Sequence, residues 1–214
     1  MHAEITQEIE EYCEAHSTSE DDLLNRLDRE TNLKVLRPRM ISGHLQGAFL
    51  SFISRLLRPT SILEIGTYTG YAALCLAEGL SPDGTLDTIE IDEELEDIIQ
   101  KYFNQSRYKE QIILHIGDAR TIIPTLNKKW DLVFIDAEKK EYFDYYEAIL
   151  PQIQQGGIIL IDNVLWSGKV IQEVKENDKD TQSIIDFNKY IQNDQRVRNL
   201  LLPLRDGIMI IEKL

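Results

Sequence analysis

From Ser61 onward, short apolar runs alternate with stretches of helical spacing. Ile62–Ile65, Thr85–Ile91, Ile112–Ile116, Asp131–Ile135 and Ile158–Ile161 are of strand length and predominantly apolar. Between them, residues 70–79, 93–104, 119–126 and 139–150 carry apolar positions at helical intervals. Such strands, linked by helical crossovers, predict a parallel sheet covered on both faces. The C-terminal end differs. Val197–Leu202 and Ile208–Ile211 are joined by Pro203-Leu204-Arg205-Asp206-Gly207, and Asp-Gly in so short a link signals a hairpin. The pattern therefore predicts an α/β sheet of seven strands, one of them antiparallel. Before Ser61 the spacing is helical. Ile5, Ile9 and Tyr12 fit a first helix, and Ser19 suits the cap of a second running through Leu23, Leu24 and Leu27. Pro38 breaks the pattern. A third helix is expected from Ser42 or Gly43 to Leu57, burying Leu45, Phe49, Phe52, Ile53 and Leu56, and Pro59 ends it. This divides the chain into a helical N-terminal extension, 1–58, and an α/β domain, 59–214.

Composition narrows the class. The chain has 214 residues, enough for one α/β domain with an appendage. A net charge of -14 favours solubility and argues against a broad nucleic-acid-binding face, although it leaves room for a local basic patch. No window approaches the roughly 18 apolar residues of a membrane span. Met1-His2-Ala3-Glu4-Ile5 lacks the basic start and apolar core of a secretory leader. Cys13 and Cys75 lie far apart with no C-x-x-C, so a reduced, cytoplasmic setting is expected. His2, His16, His44 and His115 are scattered, which disfavours a zinc cluster. No internal repeat or low-complexity segment is present.

The chemistry begins at Glu64-Ile65-Gly66-Thr67-Tyr68-Thr69-Gly70-Tyr71. An apolar run leads into it and Ala72-Ala73-Leu74-Cys75-Leu76-Ala77 follows, giving strand, glycine turn and helix. That arrangement brings bare backbone close to a ligand. The glycines are spaced G-x-x-x-G, so the dinucleotide fingerprint is absent, and no Lys-Ser or Lys-Thr completes a P-loop. Glu64 at the strand end would repel a phosphate. A ligand with a positive end suits the turn better, and S-adenosylmethionine carries an ammonium and a sulfonium.

In open α/β sheets ligands bind beyond the carboxyl ends of the strands. Each predicted parallel strand ends in an acidic or amide group: Glu64, Glu90 with Asp92, Asp118, Asp136, and Asp162 with Asn163. Helix capping is the rival explanation for the Asp and Asn positions. Glu is a weak cap, and Glu90 stands about 20 residues beyond the glycine turn, where an acidic group binds ribose hydroxyls. Asp118 and Ala119 are placed either to border an adenine ring or to open the next helix. Asp136, Asp162 and Asn163 come from neighbouring predicted strands, and three oxygen donors suit Mg²⁺ or Ca²⁺ rather than zinc or copper. Lys139 follows on the first turn of a helix, where a cation opposes the dipole. Near a metal and a hydroxyl it suits a general base; a solvated surface lysine is the alternative.

At this point the chain resembles the cation-dependent class I O-methyltransferases, a group that includes catechol O-methyltransferase, the plant caffeoyl-coenzyme A O-methyltransferases and bacterial relatives. The resemblance runs from about Met40 to the C-terminus. It rests on Leu63–Tyr71, on Phe134-Ile135-Asp136-Ala137-Glu138-Lys139, on Ile161-Asp162-Asn163-Val164-Leu165-Trp166-Ser167-Gly168, and on Leu202-Pro203-Leu204-Arg205-Asp206-Gly207, four segments in order. It implies a Rossmann-like class I methyltransferase fold. It also implies that Glu64 faces the methionine ammonium, that Gly66, Thr67 and Ala72 line the methionine portion, and that Glu90 holds the ribose. Asp118 and Ala119 would border adenine, while Met40 and Ser42 would approach the cofactor from a covering segment. Asp136, beside the cofactor, would ligate the metal with Asp162 and Asn163, Mg²⁺ first with Ca²⁺ or Mn²⁺ as alternatives, and Lys139 would be the base. Trp166 would flank a planar acceptor unless it packs in the core. Glu138 stands where plant members often have Asp, and the N-terminal region matches them weakly. The implied reaction is methylation of one hydroxyl of a catechol-like small molecule. The alternative acceptor is a tRNA 5-hydroxyuridine in the anticodon loop, for which Lys34, Arg37, Arg39, Arg55 and Arg58 supply a local basic cluster. A homodimer paired through the N-terminal helices is expected.

Overall fold

The computed structural model describes residues 7–175 and 177–214; Ile5 lies outside them. The chain runs α1 (Gln7–Ala15), α2 (Asp22–Lys34), α3 (Gly43–Leu57), β1 (Ser61–Ile65), α4 (Tyr71–Ala77), β2 (Thr85–Glu90), α5 (Glu96–Gln105), β3 (Ile112–Ile116), α6 (Ala119–Leu126), β4 (Trp130–Ile135), α7 (Tyr142–Ile149), β5 (Ile153–Ile161), α8 (Lys179–Asn193), β6 (Val197–Leu202) and β7 (Ile208–Lys213). The strands form one sheet in the order β3-β2-β1-β4-β5-β7-β6. β1 to β5 pair in parallel, and β7 lies antiparallel between β5 and β6.

Alternate residues of each central strand enter opposite cores. Leu63 and Ile65 of β1, Val133 and Ile135 of β4, and Ile159 and Ile161 of β5 pack beneath α6, α7 and α8. Ile62, Leu132, Phe134 and Leu160 pack on the other side with α2, α3, α4 and α5. Burial on both faces explains why these strands read as continuous apolar runs rather than alternating ones.

Several local expectations are corrected. Asp21, not Ser19, caps α2, accepting from the Leu24 N–H at 2.8 Å. β5 starts at Ile153, earlier than its apolar run, because Ile153 pairs with Trp130 and a bulge through Gln154-Gln155-Gly156-Gly157 separates that pair from the next, Leu132 with Ile158. The strand–helix alternation does not anticipate α8, whose buried Thr181, Ile184, Phe187 and Ile191 lie on one face. α3 is rotated from its predicted orientation: Phe49 and Ile53 pack partly buried at the edge of the core, as expected, but the fully buried face is another. Phe52 and Leu56 are 64% and 66% exposed, while Gln46, Gly47, Leu50, Ser51 and Ser54 are buried. Small side chains let α3 approach α4 closely: a Cβ on Gly47 would meet Tyr71 at 2.6 Å. The Ser54 hydroxyl donates to the Leu76 carbonyl at 2.6 Å, which satisfies a polar group inside that contact. Among the described residues no helix is long and apolar enough to cross a membrane.

Candidate active site

The strand order reverses between β1 and β4. The chain winds outward through β2 and β3, then returns to the other side of β1. A crevice opens at such a switch point, beyond the carboxyl ends of the strands. Backbone hydrogen bonds continue past those ends and bring the terminal residues side by side. Asp162 N donates to Ile135 O at 3.0 Å, Asp136 N to Ile65 O at 2.9 Å, and Gly66 N to Ile89 O at 3.0 Å. Gly117 N donates to Glu90 O at 2.7 Å. A cleft of about 1830 Å³ lies over this row. That exceeds the range of about 300–1,000 Å³ typical of a single small-ligand pocket, leaving room for a cofactor and an acceptor together.

Gly66 is the tightest point of the floor. Its φ is +96°, and a Cβ there would meet the Asp136 carbonyl oxygen at 2.0 Å. Only glycine allows β1 to turn directly against the end of β4. Glu64, two residues earlier on β1, is fully buried and lines neither the cleft nor its side recess. Its Oε2 accepts from the Thr88 hydroxyl, whereas its Oε1 has no hydrogen-bond partner. Burial pushes this carboxyl from an ordinary 4.5 up to about 8; the Thr88 hydroxyl opposes the rise, and the Asp136 and Glu90 carboxylates add to it. With its pKa near 8 the carboxyl stays protonated in the ligand-free fold at neutral pH, and a cation brought near its vacant oxygen would draw it back to the ionised form.

Glu90 ends β2 and lines the cleft. Its oxygens accept from the backbone N–H groups of Tyr68 at 2.6 Å and Asp92 at 2.9 Å, so the carboxylate is held across the glycine turn. Burial raises its pKa, against the pull of those N–H groups. Ala119 also lines the cleft. Asp118 does not: it caps α6 through Arg120 N at 2.9 Å and pairs with the Arg120 guanidinium at 2.6 Å. Met40 lines both the main cleft and the small recess, which Ser42, Gly66, Thr67, Ala72 and Asp136 complete. The Tyr68 hydroxyl donates to the carbonyls of Leu36 at 3.2 Å and Arg37 at 3.3 Å, tying the segment before Met40 to the glycine turn.

Asp136, Lys139, Asp162, Asn163 and Trp166 line the other half of the cleft. Lys139 opens a 3-10 turn ahead of α7, and its Nζ donates to Asp136 Oδ1 at 3.1 Å. The ammonium also lies 5.6 Å from the centre of the Tyr142 ring. Asp162 is 3% exposed. Burial, and secondarily the Asp136 carboxylate, push it up to about 7, while the Gln46 amide and Asn163 N–H act in the opposite direction. Asn163 takes the left-handed conformation, with φ 57°. Among the described residues no three His, Cys, Asp or Glu side chains gather as a metal site. The set here is two carboxylates and one amide, an oxygen-only set of the kind hard cations take. Trp166 belongs to the cleft wall rather than to either core, and its indole N–H is unpartnered.

Two residues support Asp162: Gln46, which no sequence signal marks, and Arg205, which the sequence places in the C-terminal hairpin link without assigning it a role. Gln46 of α3 donates from Nε2 to Asp162 Oδ2 at 2.6 Å, and Arg205 donates to Gln46 Oε1 at 3.2 Å. Gln46 reads as an ordinary polar position on an amphipathic helix. A buried amide facing a strand-end carboxylate emerges only when α3 docks.

A sequence model of the O-methyltransferase family matches residues 14–214. A caffeoyl-CoA O-methyltransferase of Stellaria longipes is 30% identical over 179 residues, covering 79% of this chain and 74% of its own. The S-adenosylhomocysteine-bound methyltransferase PaMTH1 of Podospora anserina superposes with a TM-score of 0.90 at 28% identity, covering 100% of this chain and 99% of its own. An O-methyltransferase from Bacillus cereus, in complex with S-adenosylhomocysteine, gives 0.88 at 27% identity, with 96% and 97% covered. A sheet with its crevice at the β1–β4 switch, a glycine turn pressed against a strand-end aspartate, and a match over nearly the whole length together mean that the chain belongs to the O-methyltransferase family.

Proposed function

We propose that this S-adenosylmethionine-dependent O-methyltransferase moves the sulfonium methyl to one hydroxyl of a small catechol-like acceptor, with a divalent cation at Asp136, Asp162 and Asn163. The observation that carries the cation is the pair Asp136–Asp162: the second is nearly buried, and the first pushes its pKa upward. A divalent ion would offset both charges, and the all-oxygen donors favour Mg²⁺ over softer metals. When bound, such an ion would lower the pKa of an acceptor hydroxyl and hold its neighbouring oxygen.

The chain's own residues would do the rest. Glu64 would answer the methionine ammonium with its vacant oxygen, and Glu90 would receive the ribose hydroxyls. Gly66 and Thr67 would pass beside the methionine portion, with Ala72, Met40 and Ser42 closing the recess around it. Ala119 would border adenine, and Asp118 would support it from the helix cap. Lys139 would take the proton from the attacking hydroxyl, close to Asp136, and Trp166 would flank the acceptor ring. Much of the rate would come from holding the nucleophile in line with the methyl group.

One observation favours the tRNA acceptor as a second reading. Lys34, Arg37 and Arg39 line the cleft, whereas Arg55 and Arg58 do not. The overall charge of -14 weighs against it. Incubation with labelled S-adenosylmethionine, a catechol panel and 5-hydroxyuridine-bearing tRNA, with chelator and then added Mg²⁺, tests both. Chelator-sensitive labelling of a catechol supports the first reading. Salt-sensitive labelling of tRNA alone supports the second. Full turnover in chelator rules out the cation.

A further inference from the structure

The corner between β6 and β7 touches both walls of the cleft. On one side it fixes the loop that follows Asp162 and Asn163: Gly207 O accepts from Val164 N at 3.2 Å, Asp206 O accepts from Leu165 N at 2.8 Å, and the Asp206 carboxylate accepts from Ser167 N. On the other side Arg205 reaches the N-terminal segment. Its Nη1 donates to the Ile41 carbonyl at 3.1 Å, to the Ser42 carbonyl, and to Gln46 Oε1 at 3.2 Å.

The last of these bonds decides how Gln46 faces Asp162. An amide can present either its oxygen or its nitrogen, but a guanidinium only donates. Arg205 therefore holds Oε1 toward itself and leaves Nε2 for Asp162 Oδ2, at 2.6 Å. Gln46 is 1% exposed, so water does not offer it an easy alternative. Arg205 also holds φ at 47°, a region that costs about 1–2 kcal/mol for a side chain larger than glycine. Backbone shape alone would be met better by glycine, so the guanidinium has to explain why arginine sits here.

We propose that Arg205 is a positioning residue. Through Gln46 it orients the Asp162 carboxylate that receives the cation, and through the Ile41 and Ser42 carbonyls it holds the covering segment against the cofactor recess. The inference rests on the cation reading of Asp136, Asp162 and Asn163.

The test uses Mn²⁺ as the probe, with binding followed by the paramagnetic resonance signal of free Mn²⁺ in the presence of S-adenosylhomocysteine. Arg205→Gly suits the turn's backbone and removes the guanidinium together with its aliphatic stem. Gln46→Met removes the relay and leaves Arg205 its two carbonyls. Each variant is expected to weaken Mn²⁺ binding by about 10- to 100-fold, the effect usual for residues that orient metal ligands. The double variant is expected to be no weaker than the weaker single one, because both act along one path. S-adenosylhomocysteine affinity is expected to fall in Arg205→Gly and to hold in Gln46→Met. Unchanged Mn²⁺ affinity in folded Arg205→Gly overturns the inference, and multiplicative losses in the double variant overturn the path through Gln46. If Arg205→Gly does not fold, Arg205→Asn, which tolerates the left-handed turn and is too short to reach Gln46, carries the same decision. Wild-type protein that binds no Mn²⁺ overturns the cation reading itself, and this inference with it.

Discussion

Replacing Glu64 by Gln should make the ligand-free protein gain stability relative to wild type as pH rises, while weakening cofactor binding. Glu64 ionises near 4.5 in an unfolded chain and near 8 in the fold, chiefly because burial disfavours the charged form. Between those values the native state holds a proton that the unfolded state has released. The stability contributed by this carboxyl is therefore complete below about pH 4.5 and is lost as pH rises toward 8. At about 1.4 kcal/mol per pKa unit, the wild-type deficit is about 1 kcal/mol at pH 5 and about 4 kcal/mol at pH 8. Gln stays neutral throughout and keeps an acceptor for the Thr88 hydroxyl. Its amide N–H₂ falls where Oε1 has no partner, a pH-independent cost of about 1–3 kcal/mol. The tested quantity is thus the difference between the two stabilities, which should shift in favour of Glu64→Gln by about 3 kcal/mol from pH 5 to pH 8. Urea unfolding followed by tryptophan fluorescence at several pH values measures it, because titrations elsewhere are common to both proteins and cancel. Parallel curves would falsify the assignment of a raised Glu64. Calorimetry with S-adenosylhomocysteine supplies the functional half: wild type should bind more tightly as pH rises through 8, and Glu64→Gln should bind weakly at every pH.

Lys139→Ala should lower turnover by about 10²- to 10⁴-fold with S-adenosylhomocysteine affinity nearly unchanged, as loss of a general base does; turnover within twofold of wild type would remove Lys139 from the mechanism. Gly66→Ala puts a Cβ 2.0 Å from the Asp136 carbonyl at a φ of +96°, so it should cost about 2 kcal/mol or more in urea unfolding and cofactor affinity with it. A variant with wild-type stability and affinity would show that the floor yields there. Asp136→Ala should abolish the Mg²⁺ response while the circular dichroism spectrum stays native, and a retained response to added Mg²⁺ would count against its role as a ligand.

Much of the site was legible because its signals are local. A glycine turn after an apolar run, and acidic groups at strand ends, are chemistry written within a few residues. The parallel-strand rule then says where such residues must gather. Asp118 shows the limit of that logic. It occupies the right strand end, yet Arg120 two residues on engages its carboxylate at the helix cap, and it lies outside the cleft lining. The inward face of α3 shows another limit. Periodicity favoured the large residues Phe52 and Leu56, but close approach to α4 selected Gly47, Ser51 and Ser54 instead.

What the sequence determined by itself was the set of strands around the cleft and the turn at Gly66, since apolar spacing and a glycine's freedom act between near neighbours. What only the tertiary structure decided was which distant groups meet. β7 inserts between β5 and β6, and its corner carries Arg205 to Gln46 across 159 residues of chain. Gln46 in turn meets Asp162 across 116 residues. Contacts of that span depend on how two helices and a hairpin pack, and packing is a property of the assembled core rather than of any segment within it.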